Sequence, residues 1–128
     1  LMRVAATGGT ATAVTAIGAA NTLIPDGSGG FRADNTDAAG FIRAIDEQAP
    51  LELAGAPVLV LGAGGAARAV VFALRERGAR PIIANRTPER AHALGTSVAW
   101  TDTALAAAVA DCPLIVSAIM WMLPMFRR

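Results

Sequence analysis

The feature that most constrains this chain is a junction. The wholly apolar run Val58-Leu59-Val60-Leu61 stops abruptly on Gly62-Ala63-Gly64-Gly65-Ala66-Ala67. A short apolar run without polar alternation fits a parallel strand buried on both faces. The residues from Gly65 to Arg77 then predict a helix, with Gly78 just past its end, where helices close on a left-handed residue. Pro81 to Ala84 predicts a second strand, and Thr87-Pro88 opens a second helix, with Thr at the N-cap and Pro at the first helical position. Ser97 to Trp100 predicts a third strand, Asp102 caps an alanine-rich helix running to about Ala110, and Leu114 to Val116 predicts a fourth strand. Strands and helices that alternate in this way argue for an α/β fold, a parallel sheet with helices packed on it.

The glycine turn also carries a chemical expectation. Gly62 permits a tight turn, Gly64 removes a side chain where a phosphate must approach the backbone, and Ala67 lets the helix lie close to the strand. The helix start offers free N–H groups and a partial positive charge to an anion. A junction needing small residues only for packing is the competing explanation. The strand before the turn, the helix after it and the next strand together favour a dinucleotide site of Rossmann type. About 20 residues on, NAD sites present an acid to the ribose hydroxyls. Here the second strand ends Ala84-Asn85-Arg86-Thr87, with Arg90 one helical turn further. A guanidinium in place of the acid suits a 2′-phosphate, so the expected cofactor is NADP.

Upstream the pattern is weaker. Residues 1–17 are rich in Ala, Thr and Gly with little periodicity, and Gly8-Gly9 reads as a loop. Ala19 to Ile24 predicts a strand, Asp26-Gly27-Ser28-Gly29 a turn, and Gly30 to Asp34 the returning arm of a hairpin. Phe41, Ile42 and Ile45 share a face of a helix that ends near Gln48, before Pro50, and Thr36 or Asp37 is placed to cap it. Leu51 to Pro57 is a linker.

Composition excludes several classes. The net charge is +1 and no basic stripe is visible, which argues against nucleic-acid binding. The most apolar run, Leu114 to Phe126, is too short to span a membrane and contains Pro124. Cys112 is the single cysteine, so it forms no internal disulfide, and it lacks histidine or cysteine neighbours at metal spacing. The expectation is a soluble cytoplasmic protein without a metal site. His92 reads as a surface residue, Cys112 as a small buried one, and Trp100 and Trp121 as packing residues rather than stacking platforms.

Four segments in series resemble shikimate dehydrogenases: Gly18-Ala19-Ala20-Asn21-Thr22-Leu23, Asn35-Thr36-Asp37-Ala38-Ala39-Gly40-Phe41, Gly62-Ala63-Gly64-Gly65-Ala66, and Asn85-Arg86-Thr87 with Arg90. The resemblance runs from about residue 16 to about residue 116. It implies an oxidoreductase of aromatic amino-acid biosynthesis that reduces 3-dehydroshikimate to shikimate with NADPH, in a cleft between a substrate domain and a cofactor domain. It further implies that Asn21 hydrogen-bonds a substrate hydroxyl and that Asp37 is the catalytic, substrate-contacting carboxylate, working with a lysine. By the same resemblance Gly64, Gly65 and Ala66 cradle the pyrophosphate in the cofactor-binding turn that Gly62 opens, and Asn85, Arg86, Thr87 and Arg90 hold the 2′-phosphate.

The chain also departs from that pattern. All 11 basic residues are arginine, so the lysine is missing, as are the family's serines for the substrate carboxylate. After the fourth strand the family has Asn, Thr and Gly near the nicotinamide, whereas this chain reads Ser117-Ala118-Ile119-Met120-Trp121-Met122. The resemblance therefore implies a fragment: residues 1–36 a remnant of the substrate domain, 37–118 a Rossmann-like NADP-binding domain, and 119–128 an atypical, poorly packed tail. A quinate/shikimate dehydrogenase using NAD and a non-catalytic NADP-binding module are the alternatives.

Overall fold

The computed structural model describes residues 12–48 and 50–119. Gly8-Gly9, Trp121 and the tail from residue 120 onward lie outside the described residues. The chain begins with a short helix, α1 (Thr12–Ile17), followed by the strands β1 (Thr22–Pro25) and β2 (Phe31–Asp34) and the helix α2 (Asp37–Gln48). A βα alternation follows: β3 (Pro57–Leu61), α3 (Gly65–Glu76), β4 (Arg80–Ala84), α4 (Pro88–Leu94), α5 (Asp102–Asp111) and β5 (Leu114–Ser117).

The second half is the α/β architecture that the alternation predicts. β3 lies centrally, paired in parallel with β4 on one side and β5 on the other. Val58, Leu59 and Val60 are fully buried, as a strand covered on both faces requires. One face carries Val58 and Val60 against Ala67, Val70, Val71 and Leu74 of α3, with Phe41 and Ile45 of α2 packed beside them. The other face sets Leu59 and Ala84 against Ala108 and Cys112. Ala67 is completely buried, so the small residue at the third position of the motif is what lets α3 approach β3. Helix α3 closes on Gly78 at φ +73°. The Ala79 N–H reaches back to the Leu74 carbonyl at 3.0 Å and the Gly78 N–H to the Arg75 carbonyl at 2.9 Å, the paired bonds of a Schellman motif.

Five local expectations need correction. A helix, α1, stands where the Ala/Thr/Gly-rich segment showed no element; its Val14 and Ile17 are buried, and Ile17 packs with Ala69 and Ala73 of α3. The first arm of the hairpin starts at Thr22, not Ala19. The third strand shrinks to a single parallel bridge between Ile83 and Ser97. Because Ile83 makes the hydrogen bonds to this segment, the next residue of that strand placed to bond it would be Asn85, which is already past the end of β4 and turns its amide onto the Thr87 carbonyl. Finally, neither Thr36 nor Asp37 caps α2. The Asn35 side chain does so, accepting the Asp37 N–H at 3.0 Å. Likewise Thr101, not Asp102, caps α5 by accepting the Ala104 N–H at 3.2 Å.

The hairpin is shallower than the sheet. Thr22 pairs with Asp34 and Pro25 with Phe31, while Leu23 and Phe31 are 40% and 48% exposed. Its turn is pinned by Asp26, whose carboxylate accepts the Ser28 and Gly30 N–H groups and the Ser28 hydroxyl. Those bonds, the Ser28 N–H first, hold the Asp26 carboxyl below its ordinary value.

Candidate functional site

The bridge at Ser97 extends the sheet to the order Ser97, β4, β3, β5. The chain therefore winds outward from β3 and then crosses back to its other side. Where the winding reverses, the loops after neighbouring strands part and leave a crevice beyond the strands' carboxyl ends. A cleft of about 500 Å³ lies there, lined by Gly62, Ala63, Gly64, Gly65, Ala66, Asn85, Ser117, Ala118 and Ile119. That volume falls within the range of ligand pockets, about 300–1,000 Å³. Hydrogen bonds continue the ladder one step past the strands: the Gly62 N–H reaches the Ala84 carbonyl and the Ala118 N–H the Leu61 carbonyl, both at 2.8 Å. The walls of the cleft are thus extensions of the sheet.

The glycines of the turn have separable reasons for being glycine. Gly62 sits at φ +113°, and a Cβ there would lie 3.1 Å from the Ala118 carbonyl oxygen. Both the backbone angle and the neighbouring chain exclude a larger residue. Gly64 is different. It is exposed, its φ is −87°, and among the described residues a Cβ would meet nothing within 4 Å. The packing of the described residues does not require glycine at 64, and the missing side chain leaves the backbone open at that point. The first-turn N–H groups of α3 open on the same space without intrahelical partners. Glycine without a packing need, beside free backbone donors, fits a pyrophosphate.

At the end of β4, Asn85 lines the cleft, and its Nδ2 donates to the Thr87 carbonyl at 3.1 Å, fixing the turn into α4. Arg86, Thr87 and Arg90 are exposed beyond the rim and are not part of the lining. No acidic side chain stands between β4 and α4. Ser117, Ala118 and Ile119 line the cleft although they were not among the expected site residues; the end of the strand on the far side of the winding reversal was the signal that could have placed them there.

Asn21 and Asp37, 16 positions apart, are brought into direct contact. The Asn21 amide donates to Asp37 Oδ1 at 2.7 Å and to Thr36 Oγ1 at 3.0 Å, and its oxygen accepts the Thr36 N–H at 3.0 Å. Both side chains are open to solvent. Beneath them lies Asn35, 8% exposed, whose Nδ2 donates to the Ala19 carbonyl at 3.1 Å while its Oδ1 holds the Asp37 N–H. Asn35 thus ties both polar segments together, a role the sequence did not reveal. The same segment touches the nucleotide turn: Ala19 stands 3.8 Å from where a Cβ on Gly65 would lie, and Gly18 abuts the Arg68 guanidinium. The Asn21–Asp37 pair does not line the cleft itself.

The remaining single residues are quiet. His92 is exposed and shares a 2.8 Å hydrogen bond with Ser97. Cys112 is buried, and burial pushes its thiol up, away from thiolate reactivity. Among the described residues no group of His, Cys, Asp or Glu could hold a metal ion, and no helix is long and apolar enough to cross a membrane.

Comparison with known proteins agrees with this geometry. A family model described as shikimate / quinate 5-dehydrogenase matches residues 44–128, more than half of the chain. The shikimate dehydrogenase (NADP(+)) of Methylobacterium radiotolerans is 49% identical over 113 residues, covering 80% of this chain and 39% of that protein. The solved structure of shikimate 5-dehydrogenase from Thermus thermophilus, in complex with NADP(H) and shikimate, is similar at a TM-score of 0.71 and 39% identity, over 86% of this chain and 41% of that one. Quinate dehydrogenase from Corynebacterium glutamicum, in complex with NAD, is similar at 0.73 and 29% identity, over 86% and 43%. The chain thus spans well under half the length of each of these proteins. It belongs to the shikimate/quinate 5-dehydrogenase family.

Proposed function

We propose that this chain carries the NADP(H)-binding part of a shikimate dehydrogenase, an oxidoreductase that interconverts 3-dehydroshikimate and shikimate in aromatic amino-acid biosynthesis. One observation carries the choice of cofactor: the turn that follows β4 reads Asn85-Arg86-Thr87, with no acid and with an exposed guanidinium. A carboxylate there would repel a 2′-phosphate, whereas a guanidinium holds it through charge-assisted bonds. In this reading Gly62 shapes the turn, Gly64, Gly65 and Ala66 present backbone N–H groups to the pyrophosphate, and Asn85, Arg86, Thr87 and Arg90 surround the 2′-phosphate. Asn21 donates to a substrate hydroxyl, and Asp37 is the carboxylate at the reacting end. NADPH, when bound, supplies the hydride; the chain's own part is to orient it and to present Asn21 and Asp37 on a framework fixed by Asn35.

Residues 37–118 form the NADP-binding domain in this reading, and 1–36 belong to the substrate side. The working site is cytoplasmic, consistent with a single buried cysteine and with no membrane-crossing helix among the described residues. The Corynebacterium glutamicum relative was solved with NAD, so fold alone does not choose the cofactor; the charge at the end of β4 does. A non-catalytic NADP-binding module is a second reading, favoured by one observation, the complete lack of lysine in these 128 residues. Titration followed by nicotinamide fluorescence tests the cofactor assignment. NADPH should bind at least about tenfold more tightly than NADH, as one hydrogen bond to a charged group allows. Equal affinities would sink the assignment.

A further inference from the structure

We infer that Trp100 is a positioning residue for cofactor choice: its indole face holds the Arg86 guanidinium where a 2′-phosphate would be read. This rests on the assignment of Arg86 to that phosphate. The Arg86 Cζ lies over the Trp100 ring, 5.9 Å from its centroid, within reach of a cation–π attraction. Trp100 is itself anchored. It packs with Val98 and Leu105 against the buried cluster of Leu59, Ala84, Ala108 and Cys112. Its segment is also registered against β4, because the Ile83 N–H reaches the Thr96 carbonyl at 2.8 Å and the Val98 N–H the Ile83 carbonyl at 3.0 Å. Ala84, a member of the cluster that Trp100 packs against, directly precedes Asn85-Arg86. The platform and the guanidinium it supports therefore belong to one rigid edge of the sheet. The expectation of Trp100 as a packing residue is right for one side of the ring and incomplete for the other.

The chemistry explains why an aromatic ring suits this place. An exposed arginine has many rotamers, and ordering it on binding costs conformational entropy. A carboxylate partner would order it but would also neutralise it and occupy its donors. An indole face orients the planar guanidinium while leaving its N–H groups for an incoming phosphate. Among the described residues the ion pair is Arg77–Asp46, away from this edge, and no carboxylate pairs with Arg86.

The test uses the 128-residue chain with Trp100→Leu, Trp100→Phe, Arg86→Ala and the double variant Arg86→Ala/Trp100→Leu, each titrated with NADPH and with NADH. Leucine keeps the apolar bulk and removes the π face; phenylalanine keeps a face. Trp100→Leu should weaken NADPH about two- to fivefold, the range of an exposed cation–π pair, and leave NADH unchanged. Trp100→Phe should restore most of the preference, and Trp100→Leu should have no further effect once Arg86 is alanine. A loss shared by both nucleotides, or one that persists without Arg86, overturns the inference and leaves Trp100 a packing residue. If Arg86→Ala itself leaves the NADPH preference intact, it is the phosphate assignment that fails. A second measurement does not depend on the leucine variant folding. In a Trp121→Phe background, Arg86→Ala should shift the emission of Trp100 in the free protein; an unchanged spectrum overturns the inference.

Discussion

The two polar constellations of this chain are built in opposite ways. The nucleotide turn stands at the end of β3, whose central residues are fully buried between two packed layers. The Asn21–Asp37 pair stands at the junction of a two-stranded hairpin and a helix start, is open to solvent, and is held by side-chain hydrogen bonds. An isolated pair of strands is marginal by itself, while a strand within a covered parallel sheet is not. The first constellation therefore borrows its rigidity from the core, and the second keeps its geometry mainly through one buried amide, Asn35. In the proposed reading the cofactor lies on the half built into the core, and Asn21 and Asp37 stand on the half held by side-chain hydrogen bonds.

The largest expected effect falls on the Asn21–Asp37 side. With shikimate and NADP the 128-residue chain should show no measurable turnover, even where it binds nucleotide. Positioned acid–base catalysis contributes about 10²–10⁴-fold, and a chain without lysine lacks the partner that family resemblance assigns to Asp37. Robust steady-state oxidation would mean that the Asn21–Asp37 side is complete, and the contrast would dissolve.

The next effect is on stability. Leu74→Ala, at a fully buried position of α3, should cost about 2–5 kcal/mol in urea unfolding. Leu23→Ala in the hairpin, 40% exposed, should cost under about 1 kcal/mol. Comparable losses would show that the hairpin and the sheet share a single core.

A smaller pair of substitutions separates fold from function within one turn. Gly62→Ala places a Cβ at a positive φ and against the Ala118 carbonyl, so it should destabilise the chain by more than about 1 kcal/mol. Gly64→Ala meets open space and should change stability by less than about 1 kcal/mol, yet weaken NADPH and NADH alike, since both carry the pyrophosphate. If Gly64→Ala binds both nucleotides normally, the empty space at Gly64 is not where the phosphates lie.

Sequence made the first constellation legible and hid much of the second, for physical reasons. A wholly apolar run ending on glycine leaves few alternatives to a buried strand and turn, so β3, the turn and α3 could be read with their ends nearly in place. Helix α1 escaped because alanine, threonine and glycine blur the apolar period; Val14 and Ile17 mark its buried face. The caps were misplaced because Asn35-Thr36-Asp37 and Thr101-Asp102 each offer adjacent acceptors, and backbone direction alone decides which one faces the helix. The pairing of Asn21 with Asp37 could be anticipated only through family resemblance, since nothing in their spacing brings them together. The Arg86–Trp100 contact depends on strand register at Ser97, which a single bridge sets.

The central claim is that a 2′-phosphate is read at the end of β4 by Arg86, and phosphorus NMR of bound NADP tests it most directly. A phosphate monoester titrates near pH 6, and a guanidinium beside it favours the dianion and lowers that value. The 2′-phosphate resonance of NADP bound to the 128-residue chain should therefore titrate well below about 6. In Arg86→Ala it should return to the free-nucleotide value while the pyrophosphate signals remain those of the bound state. A 2′-phosphate that titrates as in free NADP, or whose titration is indifferent to Arg86→Ala, would contradict the claim.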